Sequence, residues 1–225
     1  MKIKKLQLLT NNLKDTKEFY TVSLGLQTIE ESSDKFTLQI GRSELTFLKA
    51  QNNHIYHFCF LIPSNKIIEA LEWFEKRGRV LSIENQRKIQ NFESWNAQSF
   101  YFKDPSGNIV EFIVRHDIEN KSDVAFGSDS ILCVNEIGMP TRDILTTNRF
   151  LESKLTSKFW KGNFKSFGTH GSQIGLLLLP NYLLKAKWFP TELVIKPEPF
   201  KAQLEINEIL YSLEYKNETI SISIL

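Results

Sequence analysis

Apolar and polar positions along this chain follow a pattern that restarts. "KIKKLQLLT" alternates as a strand does, with Ile3, Lys5, Gln7 and Leu9 on one face. In "NNLKDTKEFYTVSLGL" the period lengthens: Leu13, Thr16, Phe19 and Tyr20 recur at three-to-four spacing, which predicts a helix stopped at Gly25. Three short strands follow, "QTIEES", "KFTLQI" and "SELTFLK", with Gly-Arg-Ser turning the chain between the last two. The order is strand, helix, three strands.

The order repeats from Tyr56. "YHFCFLIP" reads as a strand, and "NKIIEALEWFEKRG" as a helix with Ile67, Ala70, Leu71 and Phe74 inward and Gly78 at its end. Strands are expected around Val80–Ile83, Ala97–Phe102 and Asn108–Val114. A third copy begins at Ile131: Phe150 and Leu155 match Phe19 and Leu24 at one constant offset, and "FKSFGTHGSQIGLLLLP" echoes the earlier strand-turn-strand. A fourth is suggested by "PTELVIKPEP" and "ILYSLEYKNETISISIL", its helix missing or reduced to "PFKAQLEI". Repeats on this scale are modules that bury their faces against one another. The expected fold is α+β: repeated βαβββ modules forming a half-open sheet cup, with a degenerate second module pair. Residues 1–118 would be the complete pair, 119–130 a linker and 131–225 the degenerate pair.

Composition adds limits. The 225 residues are 41% hydrophobic and 24% charged, ordinary for a globular protein, and the net charge of +2 gives no footprint for nucleic acid. Cys59 and Cys133 lie in apolar strand-like runs and are expected as buried free thiols. "MKIKKLQLL" lacks the apolar core and cleavage site of a signal peptide, and no apolar run reaches membrane-spanning length. A cytoplasmic protein is expected, with a small-molecule ligand and a homodimer as its partners, and neither nucleic acid nor membrane. No Gly-rich phosphate loop, Cys-x-x-Cys pair or Gly-x-Ser-x-Gly elbow occurs.

One carboxylate stands out. In "FYFKDPSGNIVEFIVR", Glu111 lies between Val110 and Phe112, and a charge there is costly unless paired, liganded or turned to water. The modules, "KEFYTVSLGL" and "DPSGNIVEF" together resemble the vicinal oxygen chelate superfamily of glyoxalase I, fosfomycin- and bleomycin-resistance proteins and extradiol ring-cleaving dioxygenases. That resemblance implies a cup holding a divalent cation that chelates two neighbouring oxygens of a substrate. It implies His57 and Glu111 as metal ligands, with Glu111 also catalytic. The resemblance places a histidine or glutamine where this chain has Lys5, and an ammonium has no lone pair to donate. Gln7, two residues on, is a substitute ligand.

Two readings stay open. In one, Lys5 pairs with Glu111 where a metal would lie, and the cup binds a small polar molecule through Lys5, Gln7, Ser99 and Tyr101. In the other, His57 and Glu111 hold a divalent cation for lyase, isomerase or dioxygenase chemistry. Tyr101 matches a pocket-facing tyrosine of the fosfomycin-resistance proteins, and Ser99 alternates in register with it. Phe92 and Trp95 would line the cup mouth, whereas His54, His116 and His170 read as surface residues. Glu136 takes the Lys5 place in the third module, but with no partner evident in the fourth, no metal site is expected there.

Overall fold

The computed structural model describes all residues 1–225. The first module is β1 (Lys2–Thr10), α1 (Leu13–Glu18, continued as a wider turn to Ser23), β2 (Thr28–Glu31), β3 (Lys35–Ile40) and β4 (Ser43–Lys49). The second is β5 (His57–Leu61), α2 (Ile67–Glu75), β6 (Gln90–Phe92), β7 (Ala97–Lys103) and β8 (Ile109–Arg115). Its short first outer strand is β6; Val80 makes only an isolated bridge to Phe102. The third is β9 (Cys133–Gly138), α3 (Ile144–Lys154), β10 (Phe159–Gly162), β11 (Phe167–Ser172) and β12 (Gly175–Pro180). The fourth is a three-strand meander, β13 (Phe200–Ile206), β14 (Ile209–Lys216) and β15 (Thr219–Ile224). "PFKAQLEI" is therefore strand β13, not a residual helix; Phe200, Ala202, Leu204 and Ile206 alternate inward with period two.

The modules pair differently from the expectation. One sheet runs β15-β14-β13-β1-β4-β3-β2 and joins modules one and four; the other runs β10-β11-β12-β9-β5-β8-β7-β6 and joins modules two and three. Residues 1–118 thus contribute to both sheets, and 119–130 connects two modules of the same sheet. First strands make each junction: β1 lies antiparallel to β13, and β5 antiparallel to β9.

The two sheets share one core. Leu6 and Leu8 of β1, Phe58 and Phe60 of β5, and the inward faces of the three helices form a single buried apolar cluster. Burying about 25 cal/mol per Å² of apolar surface, such a core is the main stabilising term. The motif residues tie the sheets together. Asp104 accepts hydrogen bonds from the Tyr20 hydroxyl at 2.9 Å and from the Asn108 side chain at 2.8 Å, and Ser106 meets Thr10 and Thr16, each at 2.6 Å. Gly107 turns this loop at φ +86°, a conformation that disfavours other residues. No helix is long and apolar enough to cross a membrane.

Candidate functional site

The other face of the second sheet gathers a group of buried ionisable side chains. β5 is central, with β8 parallel on one side and β9 antiparallel on the other, and Cys59 pairs in register with both Glu111 and Glu136. His57 lies two residues before Cys59 and so on the same face. A bulge makes this convergence. Phe60 pairs with Val134 but Cys59 with Glu136, leaving Asn135 over, so Cys133 and Glu136 face the same way although three residues apart.

His57, Glu111 and Glu136 are all buried, and each offers a ligand atom within 4.8 Å of the others. Each is held by a neighbour. The Nδ1 of His57 lies 3.1 Å from the Ile109 carbonyl oxygen, which can only accept, so Nδ1 carries the proton and Nε2 faces the Glu111 Oε2 at 3.4 Å. Tyr101 donates its hydroxyl to the Glu111 Oε1 at 3.0 Å. Burial, and then the Glu111 charge, push the Tyr101 phenol far up, so it remains a donor. Arg115, wholly buried, donates from Nη2 to the Glu136 Oε1 and from Nε to the Asn135 Oδ1 at 3.1 Å, between the Trp95 and Trp160 rings. Burial holds the Glu136 carboxyl above the usual carboxylate range, outweighing the opposing Arg115 charge.

His57, Glu111 and Glu136 form the floor of a cavity of about 250 Å³, with Phe92, Trp95, Tyr101, Phe167 and Leu178 among its walls. Leu178 has a positional meaning. It pairs with Gly138, two residues beyond Glu136 on the first strand of its module, as Glu111 pairs with Cys59, two beyond His57. Three of four symmetry-related places therefore carry ligand types, and the fourth is apolar.

The remaining sequence-derived candidates divide. Tyr101 lines the cavity, as do Phe92 and Trp95. Ser99 is buried on β7, its hydroxyl without a partner, and is not part of the lining. Lys5 and Gln7 belong to the other sheet: the Lys5 ammonium pairs with Glu44 at 2.8 Å, half exposed, and Gln7 borders a separate surface depression. The expected Lys5–Glu111 pair does not form, because β1 and β8 lie in different sheets. Instead the third module supplies Glu136, whose signal was that of Glu111, a carboxylate in an apolar strand ("LCVNEIGM"). His170 is buried rather than exposed: Nδ1 meets the Asn148 Oδ1 at 2.8 Å and Nε2 the Ser157 Oγ at 2.7 Å, and burial lowers its pKa to about 4. His54 pairs with Glu198 at 2.6 Å.

Comparison with known proteins agrees with this architecture. Residues 2–112 match the family described as the Glyoxalase/Bleomycin resistance protein/Dioxygenase superfamily. No curated protein matches the sequence. A solved structure titled "putative dioxygenase", from Bacillus subtilis subsp. subtilis str. 168, aligns over 100% of this chain and 84% of its own, with a TM-score of 0.62 at 13% identity. A glyoxalase I mutant from Zea mays covers 79% of this chain and 66% of its own, with a TM-score of 0.54 at 14% identity. At such identities the likeness is one of fold.

Proposed function

Because its N-terminal half, residues 2–112, belongs to the glyoxalase/bleomycin resistance/dioxygenase superfamily, we propose that this protein is a divalent-cation-dependent enzyme acting on a small molecule with two neighbouring oxygens. His57, Glu111 and Glu136 would hold the cation. The observation that carries this reading is the convergence of three buried ligand atoms within 4.8 Å on a cavity floor. The donor set fits: one imidazole and two carboxylates suit a first-row divalent metal, and the tautomer fixed by the Ile109 carbonyl presents the Nε2 lone pair.

Bound there, a cation supplies Lewis acidity that draws charge from the substrate oxygens in lyase, isomerase or dioxygenase chemistry. The chain's own residues prepare the place. Tyr101 and Arg115 each engage one oxygen of a carboxylate and fix its orientation. Leu178 withholds a fourth protein ligand, which leaves positions for substrate and water. The aromatic walls exclude bulk water and strengthen each electrostatic contact on the floor.

A second reading has its own support. Arg115 pairs with Glu136 and Tyr101 donates to Glu111, so both floor carboxylates have partners without a metal, which suits a non-catalytic small-molecule binder. Metal analysis of protein purified without chelator, followed by Mn²⁺, Fe²⁺ and Zn²⁺ titrations, separates the two. We expect about one equivalent per chain, and His57→Ala should weaken cation affinity by about 100-fold or more, beyond the loss typical of an outer-shell change. A native protein that neither retains nor takes up cation supports the metal-free binder.

A further inference from the structure

Between β12 and β13, ahead of the fourth module, the chain makes no regular strand or helix. It folds a small hairpin, closed by the Trp188 N–H donating to the Leu193 carbonyl at 2.9 Å and the Ile195 N–H to the Ala186 carbonyl at 2.8 Å. The hairpin leans on the site just described. The Trp188 ring lies 5.2 Å from that of His57, and Phe189 meets Tyr101 edge-on at 5.5 Å. Gly138 is its seat: a Cβ there would come within 2.5 Å of the Trp188 ring tip.

Two polar groups on the hairpin side of the cavity lack partners. Trp188 is only 4% exposed, and its Nε1–H donates to nothing, an arrangement that costs free energy until an acceptor arrives. The Lys185 ammonium lines the same cavity, lies 4.6 Å from the centre of the Phe167 ring, and forms no ion pair. Burial lowers the pKa of Lys185, and nothing nearby opposes that shift. Between these donors and the floor the walls are mainly aromatic.

We propose that this hairpin is the recognition wall of the cavity, and that Lys185, with the indole N–H of Trp188, selects a small aromatic acid. Aromatic walls favour a planar ring, and a half-buried ammonium without a counter-ion favours an anion. The volume of about 250 Å³ suits one ring with short substituents, since an apolar cavity of about 150 Å³ holds benzene. Orientation follows from charge. Glu111 and Glu136 repel an anion from the floor, so the acid group lies at the hairpin and the rest of the ring faces His57. The inference rests on the cavity being the ligand site of the proposed function and names the substrate class.

The test compares benzoate with benzamide, its uncharged near-isostere, in intact protein, once with EDTA and once with Mn²⁺. Calorimetry gives the affinities, and the indole NMR signal of Trp188, identified with Trp188→Phe, reports the place. In EDTA, benzoate should bind about tenfold tighter than benzamide, a charge-assisted contact's worth, and shift the Trp188 signal. Lys185→Met should bring that ratio to about one while benzamide affinity holds. Three results overturn the proposal: neither probe binds, the Trp188 signal stays still, or the preference survives Lys185→Met. The two readings fail separately. A Lys185-dependent preference without cation uptake leaves this inference standing and removes the enzyme; uptake without the preference does the reverse.

Discussion

The two sheets have the same pairing scheme at their centres and opposite chemistry on their outer faces. In one, Cys59 pairs with Glu111 and Glu136; in the other, Gln7 pairs with Thr46 and Lys201. Lys5, Thr46 and Lys201 thus stand where His57, Glu111 and Glu136 stand. Two ammonium groups and a hydroxyl cannot collect a cation. The first-sheet charges are satisfied across strands at the surface instead, Lys5 with Glu44 at 2.8 Å and Lys201 with Glu214 at 3.5 Å. The second-sheet charges are buried under the hairpin and its aromatic neighbours. One scaffold therefore carries a solvated face and a buried face lined with ligand-type side chains, and burial, not topology, separates them.

The largest test of that contrast is Arg115. Its guanidinium and the Glu136 carboxylate are almost wholly enclosed, whereas Lys201 and Glu214 are about half exposed. Removing one partner of a buried pair leaves an uncompensated charge, at about 3–5 kcal/mol; removing one from an exposed pair costs about 0–1 kcal/mol. Arg115→Met should therefore lower unfolding free energy by about 3 kcal/mol in a denaturant melt, near the lower end because Glu136 can take up a proton. The double variant Arg115→Met/Glu136→Leu should recover most of the loss. Equal small losses for Arg115→Met and Lys201→Met would abolish the distinction between the faces.

A smaller effect probes the inner side of the second sheet. His170 on β11 is buried against Asn148 and Ser157, with its pKa lowered to about 4 by burial. The unfolded chain takes up this proton near pH 6.5, the folded chain only near 4. Stability is therefore full above pH 6.5 and falls as pH drops through that window, by about 1.4 kcal/mol per unit and about 3 kcal/mol in all. Asp104 works in the opposite direction: burial raises its pKa to about 6, so its contribution is greatest at low pH and is lost as pH rises through 6. The difference between native protein and His170→Gln isolates the histidine, while Glu152, Lys158 and the N-terminal ammonium remain common to both. Between pH 6.5 and 4.5 the native protein should lose about 2 kcal/mol more than the variant. Parallel pH profiles would show that burial does not govern this imidazole.

How much of this was legible in the sequence follows from the range of each interaction. The strand-helix-strands order is written in local periodicity, and α3 covers the residues that matched the first helix. The two motifs that carried the family likeness prove to touch, Tyr20 against Asp104, so most of their residues report how two sheets are stapled, and Glu111 alone among them reaches the cavity. Module pairing was not legible: period-two alternation says which face a residue takes but not which strand lies beside it. Glu136 carried a readable signal and was set aside only because modules were paired in chain order. His170 looked like a turn residue beside Gly171, yet the strand continues to Ser172. Lys185 and Trp188 belong to no period at all, and their place over the cavity is set by the irregular segment and hairpin between β12 and β13.

The smallest expected effect is the one that most sharply separates the faces. Lys5 takes on β1 the place of His57 on β5, so a substitution there asks whether position in a module is enough to make a site. Its side chain is 50% exposed and its ammonium lies 2.8 Å from Glu44. Water and salt screen such a pair, with a Debye length of about 8 Å at physiological ionic strength, and the loss of its Coulomb gain is offset by side-chain freedom regained. Lys5→Ala should therefore cost less than about 1 kcal/mol and leave cation and benzoate binding unchanged. Lys5→His adds an imidazole to a sheet whose neighbouring places are Thr46 and Lys201, neither of which can complete a ligand set. Cation affinity should stay at the native value in calorimetric titration. A rise in affinity on Lys5→His would mean that the first sheet can build a site after all, and the assignment of Glu136 as the third ligand would then be wrong.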